Sequence, residues 1–238
     1  MGLVIFNGLS SEDMHAQVEA PPEYEVPERD YEVTHIPGRN GDVIIDKGSY
    51  KNIERKYKMA LDATGDHGSY TEIVSNFIKW LHSASGYARL EDSYEPDYFR
   101  LAMYQENITV SNLFMEAGEV DVTFNCKPQR FLKSGEKPLT FKSSGKIINP
   151  TIFDSNPLVI VTGTGTGEIK IGDYGVTIND IATAIIIDSE LKDAYSAELN
   201  RNSNISLSEF PVLKFGSNDV SFSGGVTSVT IIPRWWTL

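Results

Sequence analysis

Residues 119–150 are EVDVTFNCKPQRFLKSGEKPLTFKSSGKIINP, and this stretch decides how the chain is organised. Apolar and polar residues alternate from Val120 to Phe124, and a period of two predicts a strand. Pro128 then removes one ladder donor, and a polar run follows. Helix and strand patterns mix before this stretch, whereas short strands dominate after it. We therefore predict two domains, residues 1–135 and 136–238, that join here.

The composition predicts a packed, acidic protein. Of its 238 residues, 40% are hydrophobic and 23% charged, which is typical of a globular chain rather than a disordered one. The net charge of -12 argues against nucleic-acid binding through phosphate neutralisation, which needs clustered Lys and Arg, so no sequence-specific nucleic-acid binding is expected. A single cysteine, Cys126, excludes an internal disulfide and a Cys-based zinc site, so a small core side chain is expected.

The N-terminal residues and the apolar runs indicate the cellular compartment in which the protein folds. Residues 1–6 lack the positive flank and long apolar core of a signal peptide. The longest apolar run, Ile181–Ile187, is too short to cross a bilayer. We expect a protein that is made and folded in a cytoplasm, without membrane insertion.

The first domain is predicted to be α+β, an antiparallel sheet or sandwich with one amphipathic helix. Ser69 and Glu72 form a capping box, which predicts a helix start. Lys51–Leu61 alternates like a strand, although Arg55 falls on its apolar side without an evident reason. Apolar residues at three- and four-residue steps predict the buried face of the helix: Tyr70, Ile73, Val74, Phe77, Ile78 and Leu81.

The second domain is predicted to be a β-sandwich, because short strand patterns alternate with turn signals at close spacing. The run Gly163–Gly167 is similar to a phosphate-binding loop, but a strand pattern follows it where a helix should begin. A flexible turn is therefore predicted there. Asp188–Leu199 is predicted to be a short helix or an irregular crossover.

No motif predicts an enzyme, a metal site or a cofactor. The acidic turn Glu91–Asp97 lacks the spacing and the glycine of an EF-hand loop. Asp66, His67 and Ser69 are residue types of a hydrolytic triad, but they are nearly contiguous, and no Gly-x-Ser-x-Gly elbow occurs. Trp235 and Trp236 should point to opposite faces of a strand, one into the core and one to the surface.

Four blocks of the chain, in this order, resemble the distal tail protein (Dit) family of siphophages. No large insertion interrupts the second domain, so the sugar-binding modules of longer family members are expected to be absent. The blocks are Gly38–Asp46 with Tyr50–Asn52, Trp80–Leu81 with Gly86–Arg100, Phe124–Phe131 with Asn149–Thr151, and Ser221–Gly225 with Pro233–Trp236.

The resemblance implies a structural protein of the bacteriophage virion, located at the distal end of a long non-contractile tail. Family members form a hexameric ring that joins the tail tube to the baseplate and leaves a central channel for DNA. The first domain would be the tail-tube-like ring domain, and the second a galectin-like β-sandwich. The implied partners are the tail tube protein, the tail-associated fibre or lysin protein and, through the second domain, receptor-binding proteins.

Residues 11–35 are acidic and contain prolines, so they are expected to be a solvated, extended arm. In a ring, such an arm could clasp a neighbour or line the channel, where negative charge would let DNA slide. The Arg39 turn and the acidic turn are further candidates, although both could be solvated hairpin tips. The candidates for the subunit interface or channel are Glu12, Asp13, Glu19, Glu23, Glu25, Arg39, Asp92, Tyr94 and Asp97.

Three other functions remain open from the sequence. A carbohydrate-binding module would suit the β-rich second domain and the terminal tryptophans, but it leaves the first domain unexplained. A cell-wall hydrolase would need a convergent acid/base or metal set. A tail tube subunit should lack the second domain as a separate sandwich.

Overall fold

A computed structural model of the protein describes residues 2–64, 69–111, 117–197 and 199–238. Asp66 and His67 therefore lie outside the described residues. The chain divides into two compact units, Met1–Arg130 with Leu238, and Phe131–Thr237. Over these residues the fold is mainly β with one α-helix, as predicted. The predicted division into a ring-forming domain, residues 1–135, and a sandwich domain, residues 136–238, stays a prediction.

The first unit is built on one sheet whose strands follow the order β2-β1-β7-β8-β9-β6-β3, with a separate two-stranded sheet of β4 and β5. A further bridge pairs Gly2, just before β1, with Val18 of β3, so the end strand β3 returns beside the start of β1 and the sheet curls. The strands are β1 (Val4–Phe6), β2 (Leu9–Ser10), β3 (Ala16–Val18), β4 (Arg29–Thr34), β5 (Val43–Tyr50), β6 (Ile53–Asp62), β7 (Ala88–Asp92), β8 (Tyr98–Tyr104) and β9 (Ala117–Leu132).

Helix α1 (Tyr70–Leu81) packs on this sheet. The hydroxyl of Ser69 accepts a hydrogen bond from the Glu72 amide at 3.3 Å, which confirms the predicted cap. Ile78 was expected in the core but is 41% exposed, whereas Trp80 is buried beside Phe77 and Phe124. Among the described residues, no helix has the length and apolar character needed to span a bilayer.

Strand β9 continues through Pro128, where the sequence indicated a break. Its pairing with β6 extends only from Ala117 to Cys126. Pro128 lies beyond this ladder, so the N–H that proline lacks is not needed for a hydrogen bond to β6. A proline is tolerated in a strand at such a position. The strand therefore runs on to Leu132, across the division between the units.

The second unit contains a sheet with the order β10-β18-β12-β14-β15-β16, in which β11 also pairs β18 and β13 pairs β12 and β17. Its core is aliphatic, with Val159, Val161, Ile171, Ile187 and Val229 fully buried. The strands are β10 (Leu139–Phe141), β11 (Gly145–Asn149), β12 (Leu158–Ile171), β13 (Tyr174–Ile181), β14 (Ala184–Asp188), β15 (Asp193–Ser196), β16 (Leu199–Asn200), β17 (Ile205–Leu207), β18 (Gly216–Ile232) and β19 (Trp236–Thr237).

Two expectations for this unit were wrong. The run Gly163–Gly167 is not a turn: it lies inside β12, where the pairing with β18 shifts register. Its glycines let two backbones approach more closely than side chains allow, because a Cβ on Gly225 would overlap the carbonyl oxygen of Thr164. The segment after Asp188 forms the short strands β15 and β16, not a helix, because β15 pairs with β14.

Candidate functional site: the exposed hairpin and its anchor

Strands β4 and β5 form a hairpin, here called the exposed hairpin (residues 29–50), that pairs with no other described strand. The turn between them was predicted correctly, and Gly38 and Gly41 in it have positive φ. Every described residue of both strands is exposed or half-buried. A two-stranded hairpin is marginally stable in water by itself, so this element lacks the packing that most sheets have.

Both faces of the exposed hairpin carry apolar side chains. Val33 lies opposite Ile44 on one face, and Ile45 lies on the other face opposite Glu32. Val33 is 59% exposed, Ile44 65% and Ile45 51%. Side chains of this kind on both faces of an unpacked element are typical of a protein–protein contact.

Ion pairs hold the two strands together near the start of β4. The Arg29 Nε–H donates to Asp46 Oδ2 at 2.8 Å, and the Gly48 amide donates to Asp46 Oδ1 at 2.9 Å. The hydrogen bond from Arg29 holds the pKa of Asp46 below its usual value, and Asp46 raises the pKa of Arg29. Both groups are solvent-exposed, so the pair sets geometry more than it adds stability.

The acidic segment that leads to the hairpin is not a free arm. Strand β3 (Ala16–Val18) pairs with β6 at the end of the sheet and buries Ala16 and Val18. Residues 12–14 form a 3-10 helix. Lys58 Nζ lies 3.0 Å from a carboxylate oxygen of Glu19, and the Glu54 amide donates to the Glu25 carboxylate at 2.6 Å. Glu12 and Asp13 are exposed. The expected solvated arm is thus wrong for its first third, because β3 completes the edge of the sheet.

The segment is held by a buried charged group, here called the anchor cluster. Strand alternation turns Arg55 of β6 into the interior, where it is only 2% exposed. A buried guanidinium must be paired, and the acidic turn after β7 supplies the carboxylates. The anchor cluster comprises Arg55, Tyr57, Asp92, Glu95, Arg100 and Arg130.

Arg55 makes the central contacts of the anchor cluster. Its Nη2 donates to Asp92 Oδ2 and to Glu95 Oε2, both at 3.0 Å, and its Nη1 donates to the Glu23 carbonyl at 3.1 Å. The Tyr24 ring lies 5.3 Å from its Cζ, within cation–π range. Arg55 therefore ties the segment before the exposed hairpin to the interior of the first unit.

The remaining members complete the pairing of the two carboxylates. Arg100 Nη2 donates to Glu95 Oε2 at 3.2 Å and Arg130 Nη1 to Glu95 Oε1 at 2.5 Å. Tyr57 donates its hydroxyl proton to Asp92 Oδ2 at 2.8 Å. Burial and the nearby Asp92 charge raise the pKa of Tyr57 well above its usual value, so it stays a donor at neutral pH. This arrangement fixes loops and strands rather than activating a nucleophile.

The other predicted site residues fall in different surroundings. Arg39 and Asp97 are exposed turn residues, and Tyr94 is half-buried against Gly2. Asp92 is buried, and its Oδ1 also accepts the amides of Tyr94 and Glu95 at 2.9 Å. Its carboxylate is thus used inside its own subunit. Sequence reasoning noticed Arg55 as an exception but missed its connection to this turn.

The two tryptophans separate as expected from strand alternation. Trp235 is 5% exposed in the core of the second unit, whereas Trp236 is half-buried and stacks on Phe153 with ring centroids 4.5 Å apart. Cys126 is buried, which raises the pKa of its thiol to about 12 and keeps it protonated. Within the described ranges, no group of three or more His, Cys, Asp or Glu side chains is placed to hold a metal ion.

Comparison by sequence matches no protein-family model and no curated protein. Comparison of structures gives the crystal structure of SPP1 Dit (gp 19.1), with a TM-score of 0.77 over 100% of both chains and 16% identity. This chain has the Dit fold. The resemblance that the four sequence blocks indicated is confirmed at the level of the fold.

The Dit fold also relates the chain to two structures of the phage p2 baseplate in its activated conformation. The one with Ca gives a TM-score of 0.54 and covers 97% of both chains. The one with Sr gives 0.52 and covers 97% of this chain and 98% of the other. Both are 10% identical in sequence. The SPP1 structure is described as a paradigm of the hub adsorption apparatus in phages that infect Gram-positive bacteria.

Proposed function

We propose that this chain is a structural protein of a phage tail, the hub that joins the tail tube to the baseplate or tip. The observation that carries this proposal is the match to SPP1 Dit over the full length of both chains. A match of both units in one chain favours a hub over a tail tube subunit or an isolated carbohydrate-binding module. The role needs no catalysis, so we assign none.

In this proposal six copies close into a ring, and the exposed hairpin makes the contact between neighbours. Ring closure uses two different patches on each subunit. An unpacked hairpin with Val33 and Ile44 on one face and Ile45 on the other would bury both faces against an adjacent copy. Arg39 lies in the hairpin turn and would join this contact.

The ring would surround a channel through which DNA passes. Glu12 and Asp13 are the exposed acids of the predicted set in the 3-10 helix, and we place them at the channel wall. Negative side chains there would repel phosphate and prevent DNA from sticking. We place the assembled ring at the distal end of the tail in the virion. The chain would be synthesised in the cytoplasm of the host.

The proposed partners follow from the position of a hub. The tail tube protein would dock on one face of the ring and the tail-associated fibre or lysin protein on the other. Receptor-binding proteins would attach through the second unit, which we propose to be a galectin-like sandwich. These assignments rest on the Dit fold alone and are tested by reconstitution with each partner.

The first test is the solution mass by light scattering, with negative-stain images of the same sample. We expect a six-fold ring with an open centre. The variant Ile44→Lys should reduce the mass to that of smaller species, because it places a charge in the contact between copies. Leu199→Lys makes the same change at a 65% exposed position in the second unit and should leave the ring intact.

Two results would overturn the proposal. One is a closed assembly of different symmetry that Ile44→Lys does not alter. The other is a protein that stays monomeric when mixed with the tail tube and tip proteins but binds a glycan array. The second result would favour a carbohydrate-binding module instead.

A further inference from the structure

The exposed hairpin and the end of the main sheet are two parts of one long antiparallel ribbon. In β3 and β6, Val18 lies opposite Met59. Sixteen positions later in the first chain segment (18 to 34) and sixteen earlier in the second (59 to 43), Thr34 lies opposite Val43. Both ends of the ribbon therefore have the same register, as in a single hairpin whose loop follows Thr34.

The ladder is interrupted between these two ends. Residues 19–28, here called the strap, run beside β6 and form no strand. The strap contains Pro21, Pro22 and Pro27, which have no N–H to donate to a ladder. Within the part of the chain that the structure describes, no backbone–backbone hydrogen bond joins residues 20–27 to β6. The ribbon therefore lacks, in its middle, the bonds that normally keep two strands rigidly side by side.

The strap is longer than the chain segment that it accompanies. At its start, the Glu19 amide donates to the Lys58 carbonyl at 3.0 Å. At its end, the Lys51 amide donates to the Glu28 carbonyl at 2.8 Å. Between these two bonds the strap advances nine residues (19 to 28), whereas the opposite segment advances seven (51 to 58). Two spare residues correspond to about 7 Å of extended chain, so the strap is not taut.

Side chains hold the strap where backbone bonds are missing. The Glu25 carboxylate accepts the Glu54 amide at 2.6 Å, in place of a strand carbonyl. Arg55 donates to the Glu23 carbonyl at 3.1 Å, and its Cζ lies 5.3 Å from the centre of the Tyr24 ring. These contacts are called the latch below. Glu25 is exposed and Tyr24 is 67% exposed, so water competes for the latch.

The segment opposite the strap passes at Lys51 from the exposed hairpin to the body of the first unit. On the body side, Asn52 Nδ2 donates to Asn125 Oδ1 at 2.6 Å, and Ile53 starts the ladder with β9. On the other side, no apolar residue of 29–50 belongs to the core of the first unit or to the half-buried residues packed on it. The exposed hairpin can therefore turn about Lys51 without uncovering a core side chain.

We propose that the exposed hairpin swings about the Glu28–Lys51 pair and that the latch fixes one of its positions. Opening the latch breaks the bond from the Glu54 amide to Glu25 and the contacts of Arg55 with the strap. The two spare residues of the strap then allow the displacement. Hinges of this kind absorb a motion in a few residues while the elements on both sides stay rigid. Because no core burial is lost, only the latch contacts oppose opening.

A swinging hairpin suits the ring assembly proposed above, and this use of the hinge rests on that proposal. In a ring, each subunit must place one patch against a different patch of its neighbour. A hairpin that moves can reach the neighbour before the ring is complete and settle when it closes. The hinge itself is a property of a single copy, so it is measured within one copy.

The test measures the distance between the hairpin turn and helix α1 with two spin labels and pulsed electron paramagnetic resonance. Asn40→Cys and Ser75→Cys place the labels at exposed positions of the turn and the helix. Cys126 is buried and stays unlabelled. Dilution with unlabelled protein ensures that the measured pairs lie within one copy. We expect a main distance from the latched hairpin and a minor second distance from the open one.

The variant Glu25→Ala should open the latch. It removes the acceptor of the Glu54 amide, so the population at the second distance should increase about threefold or more. Hydrogen exchange of the amide of residue 54 should become faster in the same variant. Glu25→Gln keeps an oxygen that accepts this bond and should restore most of the latched population. The matched control is Glu54→Ala, which removes an exposed carboxylate paired with Lys56 but keeps the backbone amide, and it should not increase the open population.

Three outcomes would overturn the inference. One is a single narrow distance that is the same in the parent protein and in Glu25→Ala. Another is faster exchange at residue 54 without any change in distance. The third is an equal response in Glu54→Ala, which would assign the effect to charge near β6 rather than to the latch.

The hinge and the proposed function fail separately. A six-fold ring built from copies whose hairpin has one fixed position would refute the hinge alone. A hairpin that swings in a protein that does not assemble, even with the tail tube and tip proteins, would refute the proposed function alone.

Discussion

The two units use opposite means to hold a curled sheet together. In the first unit, charged side chains meet in the interior: Arg55 is 2% exposed and joins Asp92 and Glu95. In the second unit, β12 and β18 meet through glycines, and Gly225 lies directly against the Thr164 backbone. The interior of the first unit depends on long side chains that reach between strands. The close approach of β12 and β18 in the second unit depends on glycines, which have no side chain.

The difference has consequences for tolerance to change. A buried ion pair is costly to desolvate and stabilises little overall, but removing one partner leaves a charge without compensation. Where β12 and β18 approach each other at glycines, no side-chain interaction can be removed. Stability is lost there only when a substitution adds atoms that overlap the opposite backbone. The first unit should therefore be sensitive to shortened or neutral side chains, and the second to enlarged ones.

The largest expected effect is that of Arg55→Met, which keeps the bulk of the side chain and removes its charge. Asp92 and Glu95 would stay buried with one cation fewer, so we expect a loss of about 3–5 kcal/mol in the free energy of unfolding. Urea unfolding measures the loss, and hydrogen exchange should assign it to the first unit. Exchange should also rise around Glu23 and Tyr24, which Arg55 contacts.

The control is Arg29→Met, which removes a guanidinium from an exposed pair with Asp46. Exposed ion pairs contribute little to stability because solvent screens them, so little change is expected. If both variants lost the same stability, the anchor cluster would not be a centre of the first unit.

The next effect in size is that of Gly225→Ala. The added methyl group would overlap the Thr164 carbonyl and force β12 and β18 apart, at a cost of about 3 kcal/mol. Hydrogen exchange should increase in the second unit and not in the first. The matched control is Gly175→Ala in β13, where a Cβ meets nothing within 4 Å. Equal destabilisation by both changes would contradict the crossing as the cause.

The smallest effect tests a buried ion pair in the second unit, where the carboxylate of Asp188 accepts two hydrogen bonds from Arg234 at 2.7 and 2.9 Å. Burial by itself would raise the pKa of Asp188, but the bonds from Arg234 together with those from the Leu191 and Glu190 amides lower the pKa below the ordinary 3.8. The stabilisation is thus present above pH 3.8 and is lost as the pH falls through the lower, folded-state value.

Asp188→Asn should therefore lower the free energy of unfolding at pH 7 by about 1.5–3 kcal/mol, and the gap to the parent should close in acid. Urea unfolding at a series of pH values measures this gap. Asp173→Asn, at an exposed pair with Lys214, is the control and should show almost none. A gap that persists below the folded-state pKa would show that packing, not charge, is responsible.

Local patterns predicted the elements that depend on neighbours in sequence. Ser69 began the helix as expected because capping needs only residues within one turn. The Arg39 turn also depends on its own residues, since Gly38 and Gly41 adopt positive φ there, and the loop between β4 and β5 spans residues 35–42. Local patterns gave the wrong prediction for Gly163–Gly167. Glycines suit both a turn and a close crossing of two strands, and only the position of β18 distinguishes the two.

The candidate site was predicted in part. Residues 11–35 and the Arg39 turn led to the exposed hairpin, but Asp92 proved to be an interior residue. Its role could not be predicted because its partner Arg55 lies 37 residues away in the chain. No local pattern indicates which of several acidic turns a buried arginine will meet.

The sequence by itself determined the mainly β architecture, helix α1 with its cap and the faces of most strands, because side-chain periodicity acts over a few residues. Only the tertiary structure decided that Arg55 meets Asp92 and Glu95 and that β12 crosses β18 through glycines. These outcomes depend on which distant segments pack together. That choice is made by the burial of the whole chain rather than by any segment of it.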